Sequence, residues 1–144
     1  KIAAYAQGFA VMAEASSEFK WNLPMPTIAR IWRAGCIIRS QFLGTLARSF
    51  EADTKAENLL LIGDFVEMMS EAQPSLRRVV SHAALAGLPA PALSAALGYF
   101  DAFRQARGTA NLIQAQRDYF GAHGFERIDT EGEHHGPWGS GASG

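Results

Sequence analysis

The sequence predicts an all-α fold, a multi-helix domain with an extended, glycine-rich C-terminal tail. Apolar residues recur at helical spacing from residue 1 to about residue 122, and no stretch shows the strict alternation of a half-buried strand. Residues 123–144 differ, because six glycines punctuate a polar segment that offers little apolar surface for a core. We therefore expect two regions, a helical domain over residues 1–122 and a tail over residues 123–144.

Prolines and glycines set the boundaries of the first predicted helices. The first amphipathic helix ends before residues 22–26, whose two prolines disfavour helix in the residues that precede them. A short helix is expected to restart near Pro26, because proline suits the first helical turn. Gly35 separates it from a helix predicted over about residues 36–50, and residues 51–57 form a charged connector.

The second half of the chain is predicted to hold further helices. Residues 59–69 are apolar on nearly every side, which is typical of a helix in the centre of a larger body or at a subunit interface. Pro74 is expected to open the next helix, which ends before Gly87. Pro91 is expected to open another, and the last helix lies within residues 111–121.

Composition and charge argue against several kinds of partner. The formal net charge of −1 gives no electrostatic reason to expect nucleic acid or an anionic membrane. No run of 18 apolar residues is present, so we expect no transmembrane span. Cys36 is the only cysteine, which rules out an internal disulfide and a cysteine-rich metal site. We expect a cytoplasmic protein that binds no metal.

A short segment before the tail places a cation among apolar side chains. Ile113, Arg117 and Phe120 follow at i, i+4 and i+7, so the arginine is predicted to share a face with two large apolar residues. A buried guanidinium needs an anion beside it, since an unpaired buried charge is strongly unfavourable. Gly121 is expected to end the helix with a turn that brings His123 towards Arg117. This arrangement predicts a socket for a small anion.

A second arginine lies on another apolar stripe. Arg39 falls between Gly35 and Leu43 on the stripe of the third predicted helix. A guanidinium can bind an anion, because it offers its donors in a planar, bidentate arrangement. The alternative for either arginine is a structural ion pair, or an aliphatic stem that covers apolar surface.

Three features of the tail are weighed against simpler interpretations. Residues 139–144 spell G-x-G-x-x-G, but no strand leads in and no helix follows, so we reject dinucleotide binding there. His134 and His135 are adjacent, so their side chains diverge, and a solvated loop is favoured over a metal site. Trp138 indicates either docking onto another surface, such as a second subunit, or a partly disordered end.

Four collinear segments of the chain carry a family resemblance. The segments are residues 5–9 (YAQGF), 32–40 (WRAGCIIRS), 87–91 (GLPAP) and 111–123 (NLIQAQRDYFGAH). In their order and separation they are similar to the 6-phosphogluconate dehydrogenases, over roughly residues 4 to 138. One short motif is weak evidence, but several long motifs in the same order are strong.

The resemblance implies the activity of a larger enzyme. Members of this family convert 6-phosphogluconate to ribulose 5-phosphate by NADP-dependent oxidative decarboxylation. The chain resembles only about the last third of such an enzyme, so we expect an incomplete chain that is inactive alone. The family's nucleotide-binding domain, which holds most of the NADP contacts, and its catalytic lysine and glutamate precede the matching region. The resemblance therefore implies no catalytic residue here.

The resemblance also assigns roles to three residues. It implies that Arg39, Arg117 and His123 bind the substrate, the arginines mainly through its phosphate. It further implies a homodimer in which residues 1–122 belong to the helical substrate-binding and dimerisation domain, and in which Arg117 and His123 serve the neighbouring subunit while Arg39 serves its own.

Two alternatives stay open. One is a helical dimerisation module without its own ligand, which the predicted anion socket disfavours. The other is a related 3-hydroxyacid dehydrogenase, which the two phosphate-binding arginines disfavour.

Overall fold

The computed structural model describes residues 1–34, 40–53, 56 and 58–138. Within these ranges the chain is 68% helical with almost no strand, which confirms the all-α prediction. The elements are, in chain order, α1 Ile2–Glu18, α2 Met25–Arg33, α3 Phe42–Ala52, a 3-10 turn Leu59–Leu61, α4 Gly63–Leu85, α5 Pro91–Phe103, α6 Ala110–Gly121, β1 Phe125–Glu126 and β2 Glu133–His134. The chain divides into two compact units, Lys1–Asp101 and Ala102–Gly144. The predicted change from helical domain to tail after residue 122 stays a prediction.

The third helix is displaced towards the C-terminus from its predicted position. It begins at Phe42, and Ser40 and Gln41 precede it in a turn in which Ser40 C=O accepts from Leu43 N–H at 3.1 Å. Residues 36–39 of the predicted helix lie outside the described ranges. At its other end, α3 continues to Ala52, so the connector is shorter than predicted.

Pro74 lies inside α4 and does not open a new helix, so that prediction is wrong. The fixed φ of proline suits a helix, and the residue removes one backbone hydrogen bond without ending this 23-residue element. The apolar run from residue 59 also begins differently, as a 3-10 turn. Asn58 starts this turn, because its Oδ1 accepts from Leu60 N–H at 2.9 Å while its Nδ2 donates to the Tyr99 hydroxyl at 2.7 Å.

The end of α4 is the glycine cap that the sequence predicts. Gly87 has a φ of +67°, a value that glycine adopts without steric cost. Its N–H donates to Ala84 C=O at 3.2 Å, and the N–H of Leu88 donates to Ala83 C=O at 2.8 Å. These two bonds satisfy carbonyls that the helix itself leaves unpaired.

The core of the first unit is built on aromatic side chains from α1, α2, α3 and α4. Phe9 packs against Phe50 and Trp32, with ring centroids 5.1 and 5.4 Å apart. Phe65 from α4 is fully buried. Buried alanines let the helices approach closely. The other buried members of this core are Ala6, Ala29, Leu46, Ala47, Leu59, Leu60, Met69 and Phe100.

Helix α4 and the turn before it are less buried than their apolar sequence predicts. Phe65 and Met69 face the core, but Leu61 and Val66 are 58% and 48% exposed. Burial in the core of this chain therefore explains only some of the apolar side chains in residues 59–69. That the others lie at a subunit interface stays a prediction. No helix within the described ranges is both long and apolar enough to cross a membrane.

In the second unit, α6 is followed by a small hairpin. Strands β1 and β2 pair antiparallel, with Phe125 opposite His134 and Glu126 opposite Glu133. These strands were not predicted, because a strand of two residues is too short to display an alternating pattern. Residues 123–138 are therefore folded against their own unit, and residues 139–144 of the predicted tail lie outside the described ranges.

Candidate anion-binding site

Helix α6 presents the predicted cation to solvent. Arg117 is exposed, and its Nη1 donates to Gln114 Oε1, one turn earlier, at 3.1 Å. Ile113 and Phe120 are 55% and 68% exposed. The prediction that this arginine lies on a buried face is therefore wrong within this chain, because the apolar side chains around it have no cover. The guanidinium needs no internal anion and is accessible to a ligand.

The His123 imidazole lies against the last turn of α6. Helix α6 ends at Gly121, as predicted, but the residue that makes the left-handed turn is Ala122, with a φ of +48°. Gly121 itself provides space, because a Cβ built at this glycine would lie 2.6 Å from His123 Nε2. The imidazole also lies edge-on to the Phe120 ring, with centroids 6.2 Å apart.

Arg117 and the His123 imidazole share one face of α6. Arg117 and Gly121 are four residues apart, and residues at this spacing lie one above the other on a helix. Since the imidazole occupies the space above Gly121, it extends the same face by one turn. Arg39, the third residue of the predicted site, lies outside the residues that the structure describes.

An open cleft of about 1130 Å³ lies beside α6, and Arg117 is not among the residues that line it. Gln114 and His123 contribute to its walls, so the hydrogen-bond partner of Arg117 and the imidazole border the same space. The charge on the walls is mixed. The charged lining residues are Arg107, Glu126, Arg127, Asp129 and Glu133. Arg127 is neutralised in part by Asp129, whose Oδ1 accepts from Arg127 Nε at 2.8 Å.

Asp118 is the buried polar centre of the second unit. Its side chain is fully shielded from solvent, and each carboxylate oxygen accepts two hydrogen bonds. Oδ1 accepts from Gly124 N–H at 2.9 Å and from His135 Nδ1 at 2.6 Å. Oδ2 accepts from Gly136 N–H at 2.7 Å and from Trp138 Nε1–H at 2.6 Å. One carboxylate therefore fastens both ends of the hairpin to α6.

These bonds also set the charge of Asp118. The Gly136 N–H, together with His135, Trp138 and Gly124, holds the pKa of the Asp118 carboxyl well below its usual value, although burial by itself raises that pKa. The carboxylate is therefore ionised at neutral pH and can only accept. It follows that Nδ1 of His135 carries the proton in this contact.

Comparison with known protein families assigns this chain to one of them. The family model described as the C-terminal domain of 6-phosphogluconate dehydrogenase matches residues 1–138. The chain belongs to the 6-phosphogluconate dehydrogenase family. Residues 1–138 include all of α6 and the hairpin, so the match extends through the candidate site.

Individual members of the family are similar in sequence and structure. The decarboxylating 6-phosphogluconate dehydrogenase of Lactococcus lactis subsp. lactis is 52% identical over 138 residues, which are 96% of this chain and 29% of that enzyme. The NADP(+)-dependent decarboxylating enzyme of Bacillus subtilis is 49% identical over the same shares. A solved 6-phosphogluconate dehydrogenase of Plasmodium falciparum, studied in its apo form, with its cofactor NADP+ and with its substrate 6-phosphogluconate, superposes with a TM-score of 0.86 at 42% identity. That match covers 95% of this chain and 29% of the Plasmodium chain.

Asp118 was not predicted as a residue of the site in this member of the 6-phosphogluconate dehydrogenase family. In the sequence it is a single carboxylate next to Arg117, and no local spacing links it to donors 17 to 20 residues away. Trp138 was the one sequence feature that pointed to this arrangement, because docking of its side chain onto another surface was one of the two interpretations given for it. The structure shows that it docks within its own unit, where it donates to Asp118 and lies edge-on to Tyr119 at 5.8 Å.

The tail histidines have separate environments. His135 binds Asp118, whereas His134 Nε2 is buried without a hydrogen-bond partner. Within the described part of the chain, no cluster of three or more His, Cys, Asp or Glu residues is arranged to hold a metal ion.

Proposed function

We propose that this chain is the substrate-binding C-terminal part of a decarboxylating 6-phosphogluconate dehydrogenase, and that Arg117 and His123 bind the phosphate of 6-phosphogluconate together with Arg39. The shared, exposed face of Arg117 and the imidazole is the observation that supports this most directly. A guanidinium offers a planar pair of donors to phosphate oxygens, and the imidazole adds a third donor when its ring nitrogen is protonated. The chain spans 29% of the length of the curated relatives described above.

In the complete enzyme, oxidative decarboxylation of 6-phosphogluconate to ribulose 5-phosphate would use NADP, bound mainly outside this chain. A dinucleotide fold needs a strand that leads through a glycine-rich turn into a helix. The two strands of the described residues pair only with each other and follow the last described helix, so they do not offer that arrangement. The role proposed for the present residues is to bind and orient the substrate, which positions its reacting carbon for hydride transfer. A cytoplasmic location is part of the same proposal.

The test uses a chimeric enzyme in which residues 1–138 replace the matching segment of the Lactococcus lactis relative. We expect Arg117→Ala to raise the KM for 6-phosphogluconate about 10- to 100-fold, the range for losing a charge-assisted pair. The KM for NADP should change less than about twofold, because uniform loss of substrate binding leaves the cofactor site intact. The isolated chain should show no turnover.

Arg78→Ala is the matched control. Arg78 is also an exposed helical arginine, and its Nη2 donates to Ser75 three residues earlier at 2.9 Å, as Arg117 donates to Gln114. Its replacement should leave both KM values unchanged. An Arg117→Ala enzyme with an unaltered KM for 6-phosphogluconate would contradict the proposal.

We further propose a homodimer in which Arg117 and His123 serve the neighbouring subunit and Arg39 serves its own. The exposed apolar residues beside Arg117, Ile113 and Phe120, support an interface there. Subunits with Arg117→Ala and subunits with Arg39→Ala should complement each other when mixed. Each heterodimer would hold one intact site, so random reassociation should restore about a quarter of wild-type activity.

The complementation experiment separates the two arrangements. If both arginines serve the same subunit's site, every site in the mixture keeps one defect and no activity returns. Mixing two Arg117→Ala preparations gives the baseline for this comparison.

A further inference from the structure

We propose that Asp118 is the positioning residue that holds the His123 imidazole on the Arg117 face of α6, an inference that rests on the proposed function. Asp118 is not itself suited to bind a ligand. It is only 2% exposed, and both of its oxygens already accept two hydrogen bonds. Its effect on a substrate would therefore act through another residue.

His123 is fixed from both sides by Asp118. The N–H of Ala122, the residue before it, donates to Asp118 C=O at 2.8 Å. The N–H of Gly124, the residue after it, donates to Asp118 Oδ1 at 2.9 Å. The Gly121–Ala122 and His123–Gly124 peptide groups are thus both held by one residue, which restricts the turn of backbone that contains His123.

The other three donors hold the carboxylate in the orientation that this turn requires. His135 shares Oδ1 with Gly124, while Gly136 and Trp138 occupy Oδ2. Rotation of the carboxylate away from Gly124 would break all of these bonds in a site without solvent to replace them. The hairpin therefore stabilises the turn through Asp118.

The position of the imidazole follows from this fixed backbone. With the turn held in place, the ring fits where Gly121 has no side chain, one helical turn beyond Arg117. Loss of the Asp118 carboxylate would release the turn and let the imidazole leave that face. Substrate binding would weaken although neither proposed ligand residue is altered.

A double-mutant cycle in the chimeric enzyme tests this inference. Asp118→Asn keeps the shape of the side chain but replaces one acceptor oxygen by an NH₂ group, which leaves two of the four donors unpaired. We expect it to raise the KM for 6-phosphogluconate about five- to tenfold, with less than a twofold change in the KM for NADP. In a His123→Ala background, which should itself raise the KM about tenfold, the same substitution should add less than about twofold.

The cycle separates positioning from a merely structural role. A general loss of structure would raise both KM values and would add fully to His123→Ala, so an additive cycle or an unchanged KM in Asp118→Asn overturns the inference. If His123→Ala leaves the KM unchanged, the proposed role of His123 fails first and this inference fails with it. Asp64→Asn, at an exposed aspartate in the first turn of α4, should change neither KM.

A second variant covers the case in which Asp118→Asn does not fold. Trp138→Phe keeps an aromatic ring beside Tyr119 but removes one donor from Oδ2. It should raise the KM for 6-phosphogluconate about two- to threefold, and this increase should vanish in the His123→Ala background. An increase that persists there, or no increase at all, contradicts the inference.

Discussion

The indole Nε1–H of Trp138 donates to Asp118 Oδ2 at 2.6 Å, across 20 residues of chain. The donor comes from the segment after β2 and the acceptor from the last turn of α6. This bond closes the end of the hairpin onto the helix that bears Arg117. The Trp138–Asp118 hydrogen bond therefore stabilises the candidate site, although neither residue is a proposed ligand of the substrate.

Removing this bond should loosen the hairpin. Trp138→Phe leaves Asp118 Oδ2 with one donor, so local opening of residues 124–138 should increase about tenfold, the effect of one hydrogen bond to a charged group. Hydrogen exchange of the Gly124 and Gly136 amides in the chimeric enzyme measures this opening. Trp21→Phe is the control, because Trp21 lies in the other unit, 58% exposed and stacked on Phe19. Equal protection in Trp138→Phe and the parent would show that the bond contributes nothing.

The protection of the hairpin should depend on pH through Asp118. The pKa of this carboxyl is lowered by its four donors, so the folded state favours the ionised form. The resulting stabilisation is fully present above the ordinary aspartate pKa of about 4 and is lost as pH falls towards the lower folded value. The difference in amide protection between the parent and Asp118→Asn should thus be constant from pH 7 to about pH 5 and shrink below pH 4. A difference that already disappears at pH 6 is inconsistent with this assignment.

Gly124 should tolerate no side chain, for two separable reasons. Its φ of +67° strains any other residue, and an added Cβ would meet the side chain of Glu133 across the hairpin. Gly132 has a φ of +94° but no atom near the position of its Cβ. Gly132→Ala should therefore destabilise the hairpin through backbone strain alone, by about 1–2 kcal/mol. Gly124→Ala should destabilise it more, measured as a larger loss of amide protection in hydrogen exchange. Adding Glu133→Ala should bring Gly124→Ala close to the level of Gly132→Ala.

The core of the first unit should depend on Phe65. This side chain is fully buried, and its truncation to alanine should cost about 3–5 kcal/mol, the range for a phenylalanine cavity. Urea denaturation of the chimeric enzyme should show a clearly lower midpoint. The neighbouring Val66 is 48% exposed, so Val66→Ala should cost less than about 1 kcal/mol. Similar midpoints for both variants would mean that the burial of Phe65 is not maintained in the enzyme.

Much of the helical architecture was predictable, because its signals are local. Helical spacing predicted α1, and Pro91 predicted the start of α5. Gly87 was correctly predicted as a cap, since a positive φ is a property of the residue itself. The prediction for Pro74 was wrong because a proline in the sequence can either begin a helix or lie inside one with the loss of a backbone hydrogen bond. Tertiary packing decides between the two.

The candidate site was predictable only in part. The segment of residues 111–123 and its resemblance indicated Arg117 and His123, and their common face follows from helical spacing once the imidazole is placed over Gly121. The exposure of Arg117 was not predictable, because an apolar neighbour at i−4 or i+3 does not reveal whether anything covers it.

The sequence by itself thus determined the helical class, most helix ends and the family, all of which depend on residue types at short or collinear spacing. Only the tertiary structure decided that the glycine-rich segment after α6 folds back, and that a single aspartate holds it there. The physical reason is that the four donors of Asp118 come from 6 to 20 residues away and two of them are backbone N–H groups. Backbone groups are the same in every residue but proline, so no pattern of side chains can identify them.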